Sequence, residues 1–185
     1  MQDYREFIDE ILVSEADIQK RVAELGEQIS RQYAGEELLV VCLLRGGLTF
    51  TADLTRKISV PHTLDCMQLA SYGKGHYSSS GNVRVVLDLA TNIEGLNVLL
   101  VEDIVDSGRT LAHVIQMLQT REPKSLRVCV LLDKKERREV PVQADYVGFD
   151  VPDKYVFGYG IDIDEHFRNL PFIGTANLAK YQKPE

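Results

Sequence analysis

The sequence predicts an α/β fold built on a mainly parallel central sheet flanked by helices. Two observations predict it. Leu38–Leu44, Leu96–Val101 and Ser125–Leu132 are apolar enough to be buried on both faces, the pattern of interior parallel strands. Segments with apolar residues at helical spacing lie between them, so strands and helices alternate. At 185 residues, with 44% hydrophobic and 26% charged side chains, the chain has globular proportions and the length of one domain, 1–185.

In chain order, Ser14 opens the first clear helix, with Asp17 three residues on as an approximate capping box. Ile18, Val22, Leu25 and Ile29 share its apolar face, and it should end near Gly35. The strand Leu38–Leu44 runs into Arg45-Gly46-Gly47 and a short helix carrying Leu48, Phe50 and Leu54. Ligands of open α/β sheets bind beyond the carboxyl ends of strands, so Arg45 belongs to the candidate crevice, although a plain glycine turn would look the same. Thr63–Tyr72 and Val83–Leu89 read as strands joined by a long polar connector, which fits a lid, a binding loop or a simple surface loop. Asp145–Val151 and Tyr155–Tyr159 supply short β segments near the end.

The chemistry centres on Glu102-Asp103-Ile104-Val105-Asp106-Ser107-Gly108-Arg109-Thr110. The acids Glu102 and Asp103 end an apolar run, and a small hydroxylic turn follows. Leu111, Val114, Ile115 and Leu118 then recur at helical spacing. The first N–H groups of that helix lack intrahelical partners and sit at the positive end of its dipole, so the turn suits a phosphate. Ser107 and Thr110 can donate from their hydroxyls, and Gly108 permits close backbone approach. Three carboxylates would repel a lone phosphate unless they held a metal, ribose hydroxyls or developing positive charge. A phosphorylated sugar satisfies both halves of the motif; an ordinary strand-to-helix turn with a solvated acidic edge is the plainer alternative. A second cluster, Asp133-Lys134-Lys135-Glu136-Arg137-Arg138, follows the strand Ser125–Leu132. Lys134 stands first after the strand at the crevice edge, whereas Lys135–Glu139 reads as a solvated face.

A net charge of −7 disfavours nonspecific binding to nucleic acid or acidic membranes. No apolar run is long enough to span a bilayer and no basic-then-apolar N-terminus is present, so a cytoplasmic protein is expected. Cys42, Cys66 and Cys129 are scattered, without metal-ligand spacing, and read as reduced thiols. The dinucleotide and P-loop signatures are both absent.

The 102–110 motif resembles the phosphoribosyl pyrophosphate (PRPP) motif of type I phosphoribosyltransferases, in wording closest to the hypoxanthine-guanine branch. Asp145 to Asp162 resembles that family's purine-binding hood, and the likeness extends from about Leu38 to the Lys180-Tyr181 tail. The resemblance implies a type I phosphoribosyltransferase fold with a core of about 14–150, a small hood from the N-terminal residues and about 151–185, and a flexible antiparallel hairpin loop. It implies a purine salvage enzyme that transfers phosphoribose from PRPP to a 6-oxopurine, with Mg²⁺. Asp106 would accept a purine proton; Glu102, Asp103, Asp106, Ser107, Gly108, Arg109 and Thr110 would hold PRPP. Leu44, Arg45, Gly46 and Arg168 would bind pyrophosphate, with a cis peptide at Leu44–Arg45. Lys134, Tyr155, Val156 and Asp162 would surround the purine, Lys134 as donor to O6 and Tyr155 as stacking ring. Asp162, Glu102 and Asp103 are the metal candidates, and Ser71-Tyr72 the lid pair. Arg45 and Arg109 stand where many relatives carry lysine, which keeps the charge and alters donor geometry. A homodimer or homotetramer is implied. The alternative is a regulator of the same fold that binds PRPP or nucleotide without turnover; an acidic chain that keeps Asp106, Lys134 and Asp162 argues against it.

Overall fold

In a computed structural model, which describes residues 2–71 and 83–183, the chain forms two sheets. The larger has the order β4-β3-β2-β5-β6-β7, from β2 (Leu38–Leu44), β3 (His62–Ser71), β4 (Val83–Leu87), β5 (Asn97–Val105), β6 (Ser125–Asp133) and β7 (Tyr146–Asp150). All its pairings are parallel except β3 with β4. The smaller, antiparallel sheet joins β1 (Ile8–Val13), β9 (Ile173–Ala176) and β8 (Val156–Phe157).

Alternation along the interior strands decides what each face covers. Leu38 and Val40 of β2 with Leu99 and Val101 of β5 pack under α1 (Glu15–Gln32) and α2 (Gly47–Thr55). Leu39, Val41 and Leu43 with Val98 and Leu100 face α3 (Arg109–Gln119), which turns Leu111, Val114 and Leu118 inward. Burying both faces is why these strands read as continuous apolar runs. Ser14 caps α1 as expected, its Oγ accepting from Asp17 N–H at 3.2 Å.

Two features differ from the sequence reading. β5 does not stop at its acids: it continues through Glu102 and Asp103 to Val105, because flanking strands supply hydrogen bonds whatever the side chain. β1 and β9 had no signal of their own. Both are short, with shifts of register between them, and gain their stability from the hood cluster of Phe7, Phe157, Ile163 and Leu170. There Phe7 meets Phe157, Phe167 and Tyr181 with ring centroids 5.4, 5.4 and 5.0 Å away.

Candidate active site

The carboxyl ends of β2, β5 and β6 open on one crevice, and the turns leaving them carry the polar residues. From β5, the turn Asp106-Ser107-Gly108 leads into α3, with Gly108 left-handed at φ 83° as the residue before the helix. A cavity of about 100 Å³ is lined by Glu102, Val105, Asp106, Ser107, Gly108 and Thr110. The expected phosphate turn therefore has a hollow at a helix N-terminus. Arg109 and Thr110 lie exposed at its rim.

Just upstream, Asp103 is nearly buried and Glu102 partly so. Each carboxylate accepts from the following N–H, Glu102 from Asp103 at 3.1 Å and Asp103 from Ile104 at 2.9 Å. Burial first, and the neighbouring Asp103 charge second, push the Glu102 carboxyl well above the ordinary carboxylate range. Two adjacent acids in this state favour a cationic or hydroxylic guest. Gly46, in the turn after β2, packs onto the Asp103 carboxylate so closely that a Cβ there would overlap it. The Leu44–Arg45 peptide before it is cis.

Lys134 follows β6, only 5% exposed, its N–H donating to Val105 O at 2.9 Å. Burial lowers its pKa, while Asp106 and Asp153 oppose that shift. Asp106 lies 3.2 Å from Arg137 Nε, and Arg137 Nη1 lies 3.6 Å from Asp153. Arg138 donates to Asp106 O at 3.2 Å and pairs with Asp133. The N–H groups of Glu139 and Val140 both donate to Ser107 O, at 3.0 and 3.1 Å, and Glu139 accepts from Arg109 Nε at 2.7 Å. The segment 135–140 thus crosses the 106–108 turn as a strap, while Lys135, Glu136, Arg137 and Glu139 stay exposed, as a solvated face should. The strap's partners lie about thirty residues earlier and are invisible to local pattern.

The fourth side comes from the hood. Asp162 Oδ1 pairs with Arg168 Nη2 at 2.9 Å, and its Oδ2 accepts from Glu165 N–H at 2.8 Å. Arg168 Nη1 donates to Gly160 O at 2.8 Å. Tyr159 Oη donates to Asp53 of α2 at 2.6 Å, and burial raises that phenol's pKa. Tyr159, Asp164, Glu165 and Phe167 all have positive φ, the concentration of unfavourable backbone that functional sites retain.

Comparison with known proteins is decisive: the phosphoribosyl transferase domain profile matches residues 10–166. The chain belongs to the phosphoribosyltransferase family. It is similar to the hypoxanthine phosphoribosyltransferase of Salmonella typhimurium, 50% identical over 171 residues, covering 91% of this chain and 96% of that one. The hypoxanthine-guanine phosphoribosyltransferase of Bacillus subtilis is 42% identical over 175 residues, with 95% and 97% covered. A crystal structure of a hypoxanthine phosphoribosyltransferase from Staphylococcus aureus superposes with a TM-score of 0.90 at 40% identity, covering 95% of each chain.

For a phosphoribosyltransferase, the crevice brings together most residues singled out from sequence. Glu102, Asp103, Asp106, Ser107, Gly108, Lys134 and Gly46 converge directly, with Arg45, Asp162 and Arg168 on the hood side. Tyr155 is partly buried against the hood cluster, and Val156 is buried in β8. Ser71 ends β3, while Tyr72 lies outside the described residues. The three metal candidates do not form a cage: among the described residues no group of His, Cys, Asp or Glu is arranged to hold an ion by itself. Arg137, Arg138, Glu139, Tyr159 and Glu165 were missed. Glu165 and Arg168 fall at helical spacing in sequence, but the positive-φ backbone that turns them to one side has no sequence signature.

Proposed function

We propose that this chain is a purine salvage enzyme that transfers the 5-phosphoribosyl group from PRPP to a 6-oxopurine, hypoxanthine and also guanine, releasing pyrophosphate and a nucleoside 5′-monophosphate. One observation carries the reading: a hollow turn at a helix N-terminus, an acid pair of buried Asp103 and half-buried Glu102, and a buried lysine stand together at the carboxyl ends of β5 and β6. PRPP supplies the phosphate and the ribose, and a 6-oxopurine supplies an acceptor for the lysine. The similarity to enzymes named for hypoxanthine and guanine supports the substrate class.

The roles follow from charge. As a purine nitrogen attacks the anomeric carbon, the ribose ring becomes cationic and the departing pyrophosphate anionic, so each needs an opposite partner. Glu102 and Asp103 orient the ribose hydroxyls beneath that carbon. Ser107, Gly108, Arg109 and Thr110 hold the 5′-phosphate. Leu44, Arg45 and Gly46 with Arg168 receive the pyrophosphate, and Asp106 accepts the proton from purine N7, a role typically worth about 10²–10⁴ in rate. Lys134 donates to O6, Tyr155 stacks on the base and Val156 meets its edge through the backbone. Mg²⁺ fits this donor set: it is bound largely by substrate oxygens with one or two carboxylates, which needs no protein cage. Asp162 would hold it, with Glu102 and Asp103 on the ribose side, and it would offset charge on the pyrophosphate. The Ser71-Tyr72 pair closes over the substrate. The reading includes a homodimer or homotetramer, one domain with a hood, and a cytoplasmic protein without nucleic-acid or membrane partners. Among the described residues no helix is long and apolar enough to cross a membrane.

The test is pyrophosphate release from PRPP and Mg²⁺ with hypoxanthine, guanine, xanthine or adenine. Turnover with 6-oxopurines that falls at least about 10²-fold in Asp106→Asn is expected. Tight PRPP binding without turnover on any base would replace the enzyme by a regulator of the same fold.

A further inference from the structure

A carboxylate of the protein occupies the place where a substrate anion is expected. Glu165 Oε2 accepts from Arg45 Nη1 at 2.8 Å and from Arg168 Nη2 at 2.9 Å. One oxygen thus draws together two guanidinium groups from opposite sides of the crevice, Arg45 from the turn after β2 and Arg168 from the turn before β9. Its backbone is held in place as well. The Glu165 N–H donates to Asp162 Oδ2 at 2.8 Å, and φ is 68°, a conformation that non-glycine residues adopt where surrounding contacts enforce it. Asp162 Oδ1 completes the set, 2.9 Å from the same Arg168 nitrogen. Arg45, Arg168, Glu165 and Asp162 therefore form one linked group of two cationic and two anionic side chains.

We propose that Glu165 is an internal stand-in for the leaving group, engaging Arg45 and Arg168 until pyrophosphate oxygens displace it. This rests on the assignment of pyrophosphate to those two arginines. A carboxylate and a pyrophosphate cannot share the same donors without like-charge repulsion, so the Glu165 side chain must turn aside as substrate enters; its side chain is 52% exposed, which leaves it room to do so. Two consequences follow. Being tethered, the carboxylate competes at high effective concentration, which screens the arginines from stray singly charged anions while a multiply charged pyrophosphate still wins. The same competition weakens the hold on product and speeds pyrophosphate release.

The sign of the expected effect separates this from a structural role. Glu165→Gln keeps the shape and an accepting oxygen but removes the charge. It should tighten binding of pyrophosphate with Mg²⁺ roughly three- to tenfold by calorimetry, the range for releasing one or two half-exposed ion pairs. The PRPP KM and the pyrophosphate product-inhibition constant should fall in parallel. Adding Glu165→Gln to Arg168→Gln should give much less tightening, because a partner is already lost. Glu165→Asp, too short to reach both arginines and tolerant of positive φ, should also tighten binding and serves as the second variant. Unchanged or weaker pyrophosphate binding in folded Glu165→Gln or Glu165→Asp overturns the proposal. Failure of the wild-type chain to release pyrophosphate from PRPP would instead overturn the functional reading beneath it.

Discussion

Gly160 is where the hood meets the crevice, and replacing it by alanine probes that junction quantitatively. Its φ of 99° is unfavourable for any L side chain, and an added Cβ would run into the carbonyl oxygen of Gly46, a backbone atom that cannot rotate away. The left-handed conformation costs about 1–2 kcal/mol. Overlap with packed atoms adds about 1–3 kcal/mol. Gly35 provides the control: its φ is 79°, yet nothing lies within 4 Å of an added Cβ, so Gly35→Ala carries only the conformational cost. Thermal or urea unfolding of the two variants then isolates the overlap. Gly160→Ala should be the less stable by about 1–3 kcal/mol, a Tm difference of about 2–12 °C for a chain of this size. Activity should follow the same division. Gly46 rests on the Asp103 carboxylate, so moving it by a fraction of an ångström disturbs the side of the crevice proposed to hold the ribose, where misplacement by about 1 Å can cost about 10²-fold. Gly35→Ala should keep wild-type kcat/KM. Equal destabilisation of the two variants, within about 0.5 kcal/mol, would refute the reasoning.

Two further outcomes are expected. Glu102 has a folded pKa above its ordinary value of 4.5, so its contribution to stability is fully present below that value and is lost as pH rises through the folded pKa. Glu102→Gln should therefore raise Tm more at pH 8 than at pH 5, by about 2–4 °C if about 1 kcal/mol is recovered; the opposite order in paired thermal scans would count against a Glu102 carboxyl desolvated beside Asp103. Arg137 lies 3.2 Å from Asp106 with both side chains about half exposed, so Arg137→Gln should lower kcat about 1.5- to 5-fold at unchanged PRPP KM. In an Asp106→Asn background the same change should do nothing more, and full additivity in that cycle would show that Arg137 acts elsewhere.

Much of the fold was legible because burial on both faces leaves a mark in the chain. Leu38–Leu44 and Leu96–Val101 read as interior strands by their length and continuous apolar character, and Ile18, Val22, Leu25 and Ile29 share one helix face. The 106–110 turn was legible for a related reason: a strand-to-helix turn that presents contiguous backbone N–H groups carries its glycine and hydroxyls side by side in sequence. By themselves, these residues determined the α/β class and placed Asp106, Lys134 and the acid pair at the carboxyl ends of β5 and β6. Tertiary structure alone decided how they are held. The strap of Arg137, Arg138 and Glu139 acts on residues about thirty positions away. Glu165 faces Arg45 across 120 residues. β1 and β9 exist because Phe7 and Phe157 pack together, not because either strand is periodic. Local pattern records whether a side chain is buried and how the backbone turns beside it, whereas a charge pair or a two-strand contact depends on where the rest of the chain has already been brought.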